Sequence, residues 1–333
     1  MFGCSGCGAV LTAPVSEVAL PVHLADTHWE ELHPPLLAAG TYAVDPAPYG
    51  PPWRQWDEVG ASEAAERGRF APSGALSEGP SNTVLLAPGD MRGTRLIVER
   101  AGGYCRGIDG RDGPNLACVV CELPVGTRMD DCGCWQVVRL VPQAVVRLPG
   151  PPEQPVLEWA ELLASGALWH RLSEYRDIPA GVALAQVVAA GGGAPIDAAP
   201  GPVAELFGRA LDALLPAGES AKRLDLAGPG VGEPAADLVL VPVHPQTGDV
   251  WQPRAGALPV PVDAALWAEL AFPPHRTRLP VVGGLPAGVE RDDPLPPHPW
   301  YAFRPSRQAF RHTLARLPAV REPWLRALYD RGC

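Results

Sequence analysis

Two pairs of cysteines carry the clearest chemical pattern in the sequence. The chain opens with Cys4-Ser-Gly-Cys7, and Cys118-Val-Val-Cys121 follows more than a hundred residues later. A Cys-x-x-Cys turn offers two thiolates at neighbouring positions, and two such turns complete the four-sulfur tetrahedron in which zinc is commonly bound. Gly8, directly after the first pair, allows the backbone to turn sharply around the sulfur. The spacing therefore predicts one zinc ion with Cys4, Cys7, Cys118 and Cys121 as its ligands.

The two cysteine pairs resemble the two knuckles of a zinc ribbon. The resemblance covers only these short segments, and it implies a metal and no particular activity. The chain departs from the usual ribbon in the long insertion between Cys7 and Cys118 and in Glu122, which stands where a second glycine is expected. The chain as a whole is similar to proteins of high-GC actinobacteria, which adds no functional assignment.

Such a long insertion is compatible with metal binding on energetic grounds. Closing a loop of this length costs roughly 4 kcal/mol in chain entropy beyond a constant term. Structural zinc contributes about 10–16 kcal/mol to the folding of small zinc-binding peptides. We therefore expect the metal to offset the cost of loop closure easily.

A second set of ligands stays open at the level of sequence. Cys105, Cys118 and Cys121, together with either Cys132 or Cys134, form a compact set that could bind a metal without the N-terminal pair. Two separate sites would also be compatible with the number of cysteines. Substitution of individual cysteines distinguishes these arrangements.

An enzymatic alternative comes from a weaker pattern. His28-Trp-Glu30 and the later Cys118-x-x-Cys121 are similar to the zinc-deaminase signature, in which the glutamate transfers protons. Ala117 stands where that signature has proline. The alternative function is therefore a zinc-dependent hydrolase or deaminase-like enzyme with a mixed His/Cys site, and the sequence assigns no catalytic residue.

Composition and charge narrow the class of protein. The net charge is −10, which argues against bulk binding of nucleic acid. The N-terminus lacks the pattern of a secretion signal, so we expect a cytoplasmic protein, and paired cysteines in a reducing compartment favour metal binding over disulfides. The apolar stretch from Ile178 to Ile196 is mostly alanine, glycine and valine, and we expect it not to span a membrane.

One end of this acidic chain is basic. Arg304, Arg307 and Arg311 are spaced to share a helical face. They predict a surface for an acidic or phosphate-bearing partner, with an ordinary solvated face as the alternative.

The sequence divides at a joint rich in proline and glycine, from Leu148 to Pro155. Residues 1–148 are expected to form a β-rich, cysteine-rich zinc-binding domain, and residues 149–333 a mixed α+β domain. The fold class is thus α+β, with predicted strands and helices as follows: strands at 41–44, 83–87, 94–99 and 135–148, a short helix near 62–67, helices at 157–175, after Pro202, after Pro305 and around 324–328, and a hairpin of 237–243 with 250–253.

The chemistry of the expected zinc site favours a structural role. Four thiolates leave no open coordination position for a reactive water molecule. The leading expectation is a zinc-containing binding or adaptor protein that binds a protein partner.

Overall fold

A computed structural model describes residues 1–24, 33–103, 107–151, 154–166, 168, 176–218, 220–254, 256–273 and 305–331. The chain forms two compact units. Unit 1 contains Met1–Leu157, His244–Asp249 and Ala315–Arg321, and unit 2 contains Glu158–Val243, Val250–Leu314 and Glu322–Cys333. The expected division into domains of residues 1–148 and 149–333 is a statement about which parts fold independently, and it stays a prediction.

Unit 1 is built mainly from short strands. Its strands are β1 (Phe2–Cys4), β2 (Ser16–Glu17), β3 (Thr41–Asp45), β4 (Trp53–Gln55), β5 (Ala75–Ser77), β6 (Thr83–Leu86), β7 (Thr94–Leu96), β8 (Leu116–Cys118), β9 (Pro124–Met129), β10 (Val137–Leu140) and β11 (Val145–Arg147). Two short helices, α1 (Trp56–Val59) and α2 (Ala61–Glu66), lie between β4 and β5. Seven strands form one sheet in the order β2-β3-β6-β10-β9-β8-β7, while β1 pairs with β11 and β4 with β5.

The central strands of this sheet bury residues on both faces. β6 and β10 are buried throughout, because each is a short apolar run between two neighbours. One face packs in a core that includes Tyr42, Leu86 and Leu140, together with Cys4 and Cys118. The candidate metal ligands are therefore attached to the main apolar core of the unit.

The other face of the sheet holds a buried ion pair. Arg139 of β10 donates a hydrogen bond from Nη1 to Oδ2 of Asp45 in β3 at 2.6 Å, and their side chains are only 4% and 10% exposed. The guanidinium carbon of Arg139 lies 4.1 Å from the centre of the Tyr49 ring. This pair joins two strands that do not pair directly, since β6 lies between them.

Unit 2 contains a four-stranded sheet whose strands are all parallel. They are β12 (Ile196–Ala198), β13 (Lys222–Leu226), β14 (Leu238–Val243) and β15 (Leu258–Asp263), and they pair in chain order. The described helices of this unit are α3 (Trp159–Ala164), α4 (Asp177–Gly191), α5 (Arg209–Leu214), α6 (Ala264–Ala271), α7 (Arg307–Leu314) and α8 (Pro323–Asp330). A single π-helical turn, Ala204–Gly208, leads directly into α5.

The mixed α+β class and the strand-rich N-terminal part are confirmed. Of the predicted hairpin of 237–243 with 250–253, the turn forms but the second strand does not. β14 pairs in parallel with β13 and β15, and the segment after the turn adds only an antiparallel bridge between Val243 and Val250, with a hydrogen bond from the Trp251 amide to the Pro242 carbonyl at 3.0 Å. Pro253 has no amide hydrogen, so it cannot extend that pairing. The continuous helix predicted over 157–175 is wrong, because α3 spans only Trp159–Ala164 and Gly166 follows it with a φ of 70°, a conformation that ends helices. Residue 167 and residues 169–175 lie outside the described part of the chain.

The apolar stretch that begins at Ile178 forms helix α4, whose buried residues lie on every side of the helix. Gly181 lies close to the segment before α7, since a Cβ atom there would lie 2.3 Å from the carbonyl oxygen of Ser306. Within the described residues, no helix combines the length and the apolar character needed to cross a bilayer.

Candidate metal centre

Each of the two Cys-x-x-Cys turns begins at the end of a strand. Cys4 is the last residue of β1, which is fixed by pairing with β11, and Cys118 is the last residue of β8, which lies between β7 and β9. Both residues have no exposed surface and belong to the main core of unit 1. The first sulfur of each turn is therefore positioned by a packed strand.

Backbone hydrogen bonds shape the first turn. The Cys4 amide donates to the carbonyl of Ala9 and the Gly8 amide donates to the carbonyl of Cys4, both at 2.8 Å. Gly8 has a φ of 75°, in the left-handed region that glycine adopts readily. The turn therefore closes around the Cys4 and Cys7 sulfurs as the sequence predicted.

The second turn repeats the same bonds. The Cys118 amide donates to the carbonyl of Leu123 at 2.9 Å, and the Glu122 amide donates to the carbonyl of Cys118 at 3.0 Å. Glu122 occupies the position equivalent to Gly8 and has a φ of 63°, which is unfavourable for a residue with a side chain. Glu122 in place of the expected glycine therefore leaves the hydrogen bonds of the turn unchanged, but it strains the backbone at this position.

One further segment ties the two turns together. The amide of Val119 donates to the carbonyl of Gly93 at 3.0 Å, and the Arg92 amide donates to the carbonyl of Leu11 at 2.7 Å. A Cβ atom on Gly93 would lie 2.7 Å from the carbonyl oxygen of Val10, and the φ of Gly93 is 54°. The close approach of the two turns therefore requires glycine at position 93. The sequence did not predict this role, because the residues around Gly93 form no motif that indicates a contact with Val10.

The four cysteine sulfurs converge. Their Sγ atoms all lie within 4.8 Å of one another, with Cys4 and Cys121 at 3.4 Å and Cys7 and Cys118 at 3.6 Å. Four sulfurs bound to zinc at about 2.3 Å lie about 3.8 Å apart. A disulfide requires about 2.05 Å, and the six cysteines that the structure describes form none. The group is thus compatible with a four-thiolate metal site.

The surroundings of the four thiols differ. Cys4 and Cys118 are buried, whereas Cys7 and Cys121 face solvent. Although the Ala9 amide lowers it, desolvation and the three neighbouring thiols raise the pKa of Cys7 to about 12. Burial raises the pKa of Cys118, but the amides of Cys121 and Val120 and its sulfur neighbours bring that pKa down to about 7. Four crowded thiols cannot all ionise without a cation, which is what a bound metal ion supplies.

Two of the three alternative ligands, Cys132 and Cys134, are described and lie outside this group. Cys134 is 7% exposed and packs in a separate apolar cluster with Leu37, Met129 and Val137. Cys132 is half-buried, and neither it nor Cys134 belongs to the group of four. Cys105 lies outside the described residues, as do His28 and Glu30 of the proposed mixed site.

In comparisons with known proteins, no protein family, curated protein or solved structure matched the chain.

Proposed function

We propose that this chain is a zinc-containing cytoplasmic binding or adaptor protein whose zinc ion is structural. The observation that carries the proposal is the convergence of Cys4, Cys7, Cys118 and Cys121, whose sulfur atoms lie within 4.8 Å of one another. All four members of the group are thiols. Borderline-soft Zn²⁺ favours such a donor set, whereas Mg²⁺ and Ca²⁺ favour oxygen.

The ligand set supports a structural role over a catalytic one. Catalytic zinc sites keep a position open for water or substrate, and four protein thiolates leave none. Cys4 and Cys118 are fully buried in the apolar core, so a metal ion here links the first strand to a strand more than a hundred residues later. The ion would therefore contribute its binding free energy directly to the folding of unit 1.

The exposed tip of the second turn supports a binding role. Val119 and Val120, at the tip of the second turn, are 52% and 66% exposed, although valine is usually buried. A metal-fixed turn that presents apolar side chains to solvent suits a protein partner, because little conformational entropy is lost on binding.

The arginine face predicted near the C-terminal end is a second proposed binding surface. Arg307 and Arg311 are exposed on α7 one turn apart, and the guanidinium carbon of Arg311 lies 5.1 Å from the centre of the Tyr329 ring. Arg304 lies outside the described residues. We propose that this face of α7 binds an acidic or phosphate-bearing partner, through charge-assisted hydrogen bonds.

Metal analysis together with X-ray absorption spectroscopy tests the proposal. Protein purified without added metal should hold about one equivalent of zinc in a shell of four sulfur atoms at about 2.3 Å. A nitrogen or oxygen ligand in that shell would instead favour the hydrolase or deaminase-like alternative. Protein that holds no metal, even after refolding with zinc, would refute the proposal.

A further inference from the structure

A cavity of about 400 Å³ lies in unit 2, remote in sequence from the cysteines. It is formed by residues that follow β12, by the end of β13, by the loop at 231–234 and by Leu270 of α6. The cavity therefore lies at the carboxyl-terminal edge of a parallel sheet. In open α/β sheets, ligands bind in the crevice at this edge.

The lining combines apolar walls with two carboxylates. Apolar surface comes from Pro200, Val203, Leu226, Val231, Pro234 and Leu270. Asp225 and Glu233 supply the charge, and the described residues of the lining include no lysine, arginine or histidine. A site with walls of low polarity and an uncompensated negative charge attracts cations and repels anions.

Among the residues that the structure describes, no buried cation pairs with either carboxylate. Asp225 Oδ1 accepts a hydrogen bond from the amide of Leu226 at 2.8 Å. Glu233 Oε2 accepts one from the amide of Arg254 at 3.0 Å, while the Arg254 side chain is 92% exposed and approaches Glu233 only to 3.7 Å. Pairing with so exposed a side chain is weak, so a cationic ligand could compete with Arg254 for Glu233.

The walls of the cavity are held in place by packing. The loop after β13 begins at Ala227, whose carbonyl accepts a hydrogen bond from Nε1 of the fully buried Trp267 at 2.9 Å. A Cβ atom on Gly228 would lie 2.3 Å from that indole ring, so the loop is packed tightly against it. On the opposite side, the amide of Ala199 donates to the carbonyl of Leu224 at 2.8 Å. Because these walls are packed, a small molecule that binds in this solvent-open pocket would cost the protein little conformational entropy.

The helix beside the cavity has an unusual geometry. The π-helical turn Ala204–Gly208 begins directly after Val203, which lines the cavity. Single π-helical turns are rare and are found frequently at functional sites.

We propose that this cavity binds a small organic cation, with an amine or guanidinium group between Asp225 and Glu233 and an apolar body against the walls. The proposal is independent of the metal centre and goes beyond a binding role for the cysteine turns.

Titration of the zinc-loaded full chain with three ligands of similar shape and different charge tests the proposed cation site. The ligands are phenethylamine, which is cationic, 2-phenylethanol, which is neutral, and phenylacetate, which is anionic. Ligand-observed NMR and calorimetry should give a Kd of about 1 mM for the amine, as expected for a ligand of this size. The alcohol should bind at least about threefold more weakly and the acid not measurably, and salt should weaken binding of the amine only.

Two substitutions locate the site. Asp225→Asn and Glu233→Gln should each weaken binding of the amine roughly three- to tenfold and leave binding of the alcohol unchanged. Asp212→Asn, on α5 and outside the cavity, is the control with the same change of charge. If the variants at the cavity fail to fold, the salt titration of the unsubstituted protein still decides the outcome. Equal binding of amine and alcohol, unchanged binding of the amine when Asp225→Asn and Glu233→Gln are combined, or no binding up to about 10 mM would overturn the proposal.

Discussion

Cys4 and Cys7 supply two sulfurs of the same group from very different surroundings. Cys4 is fully buried at the end of β1, and Cys7 is exposed at the rim of the turn. A ligand lost from either position leaves three sulfurs, which bind zinc more weakly. Loss of the buried thiol also places a hydroxyl group in an apolar core, where it is poorly solvated.

We predict that Cys4→Ser and Cys7→Ser both lose zinc, measured by elemental analysis of purified protein. Cys4→Ser should in addition lower the free energy of unfolding more than Cys7→Ser, by about 1–3 kcal/mol, because of the buried hydroxyl group. Cys132→Ser is the control and should retain a full equivalent. If Cys4→Ser kept its zinc while Cys105→Ser lost it, the alternative ligand set would be correct.

Gly93 has a larger role in this centre than its distance in sequence from the cysteines suggests. We predict that Gly93→Ala destabilises the protein by roughly 2–4 kcal/mol in chemical denaturation, because a Cβ atom would collide with the Val10 carbonyl at an unfavourable φ. Zinc should also dissociate faster, since both turns are fixed through this segment. Gly89→Ala is the matched control, because a Cβ atom there meets no atom within 4 Å. Equal stability of the two variants would contradict this account of Gly93.

At the scale of elements, the ion pair between β3 and β10 is the most heavily buried charge pair described in unit 1. Breaking such a pair leaves one charge buried without compensation, which costs more than the pair itself contributes. Within the described part of the chain, Asp45 is the acidic residue that forms an ion pair with the Arg139 guanidinium.

We predict that Asp45→Ala lowers the free energy of unfolding by about 3–5 kcal/mol, since Arg139 would remain buried. Asp330→Ala, which removes the exposed partner of Arg326 on α8, should change it by less than about 1 kcal/mol. Urea denaturation followed by circular dichroism measures both. A loss below about 1 kcal/mol for Asp45→Ala would mean that Arg139 reaches solvent or another partner.

The elements differ in how far sequence predicted them. β3 and β6 were recognised because apolar residues are concentrated between clear breaks in the chain. β13 was missed, since Lys222, Arg223 and Asp225 hide a strand that is buried mainly at Leu224. The parallel order of unit 2 could not be read from local patterns, because parallel pairing depends on contacts between residues distant in sequence.

The same distinction applies to the candidate centre. Sequence predicted which four cysteines converge, because each turn is a local pattern with its own spacing. It did not predict what brings the two turns together, because that depends on Gly93 and on strands β1 and β8 packing in one core.

All four proposed ligands of the zinc ion belong to unit 1, so the ion should stabilise this unit. We predict that a strong chelator unfolds this unit, because metal binding and folding are coupled when the ligands lie in the core. Near-ultraviolet circular dichroism should lose signal, and trypsin should cut within residues 1–157. Acidification should weaken metal binding in the same way, since protons compete for the sulfurs.

Returning zinc should reverse these changes, which separates metal loss from irreversible damage. Because Ala315–Arg321 belongs to unit 1, new cleavage at Arg316 and Arg321 should accompany cleavage in the N-terminal part, while sites in unit 2 stay protected. A folded, protease-resistant protein without metal would count against a structural ion and favour the enzymatic alternative.

The segment Ala315–Arg321 also bears on how the protein is made. The Phe70 amide donates to the carbonyl of Ala315 at 2.7 Å, and the guanidinium carbon of Arg321 lies 4.9 Å from the centre of the Phe70 ring. During synthesis, all four cysteines leave the ribosome some two hundred residues before this segment does. At translation rates of about 5–20 residues per second, roughly 10–40 seconds pass between the synthesis of the last of these cysteines and the synthesis of Ala315–Arg321. During that interval they are exposed to metals, oxidants and chaperones, so early zinc loading would protect the growing chain.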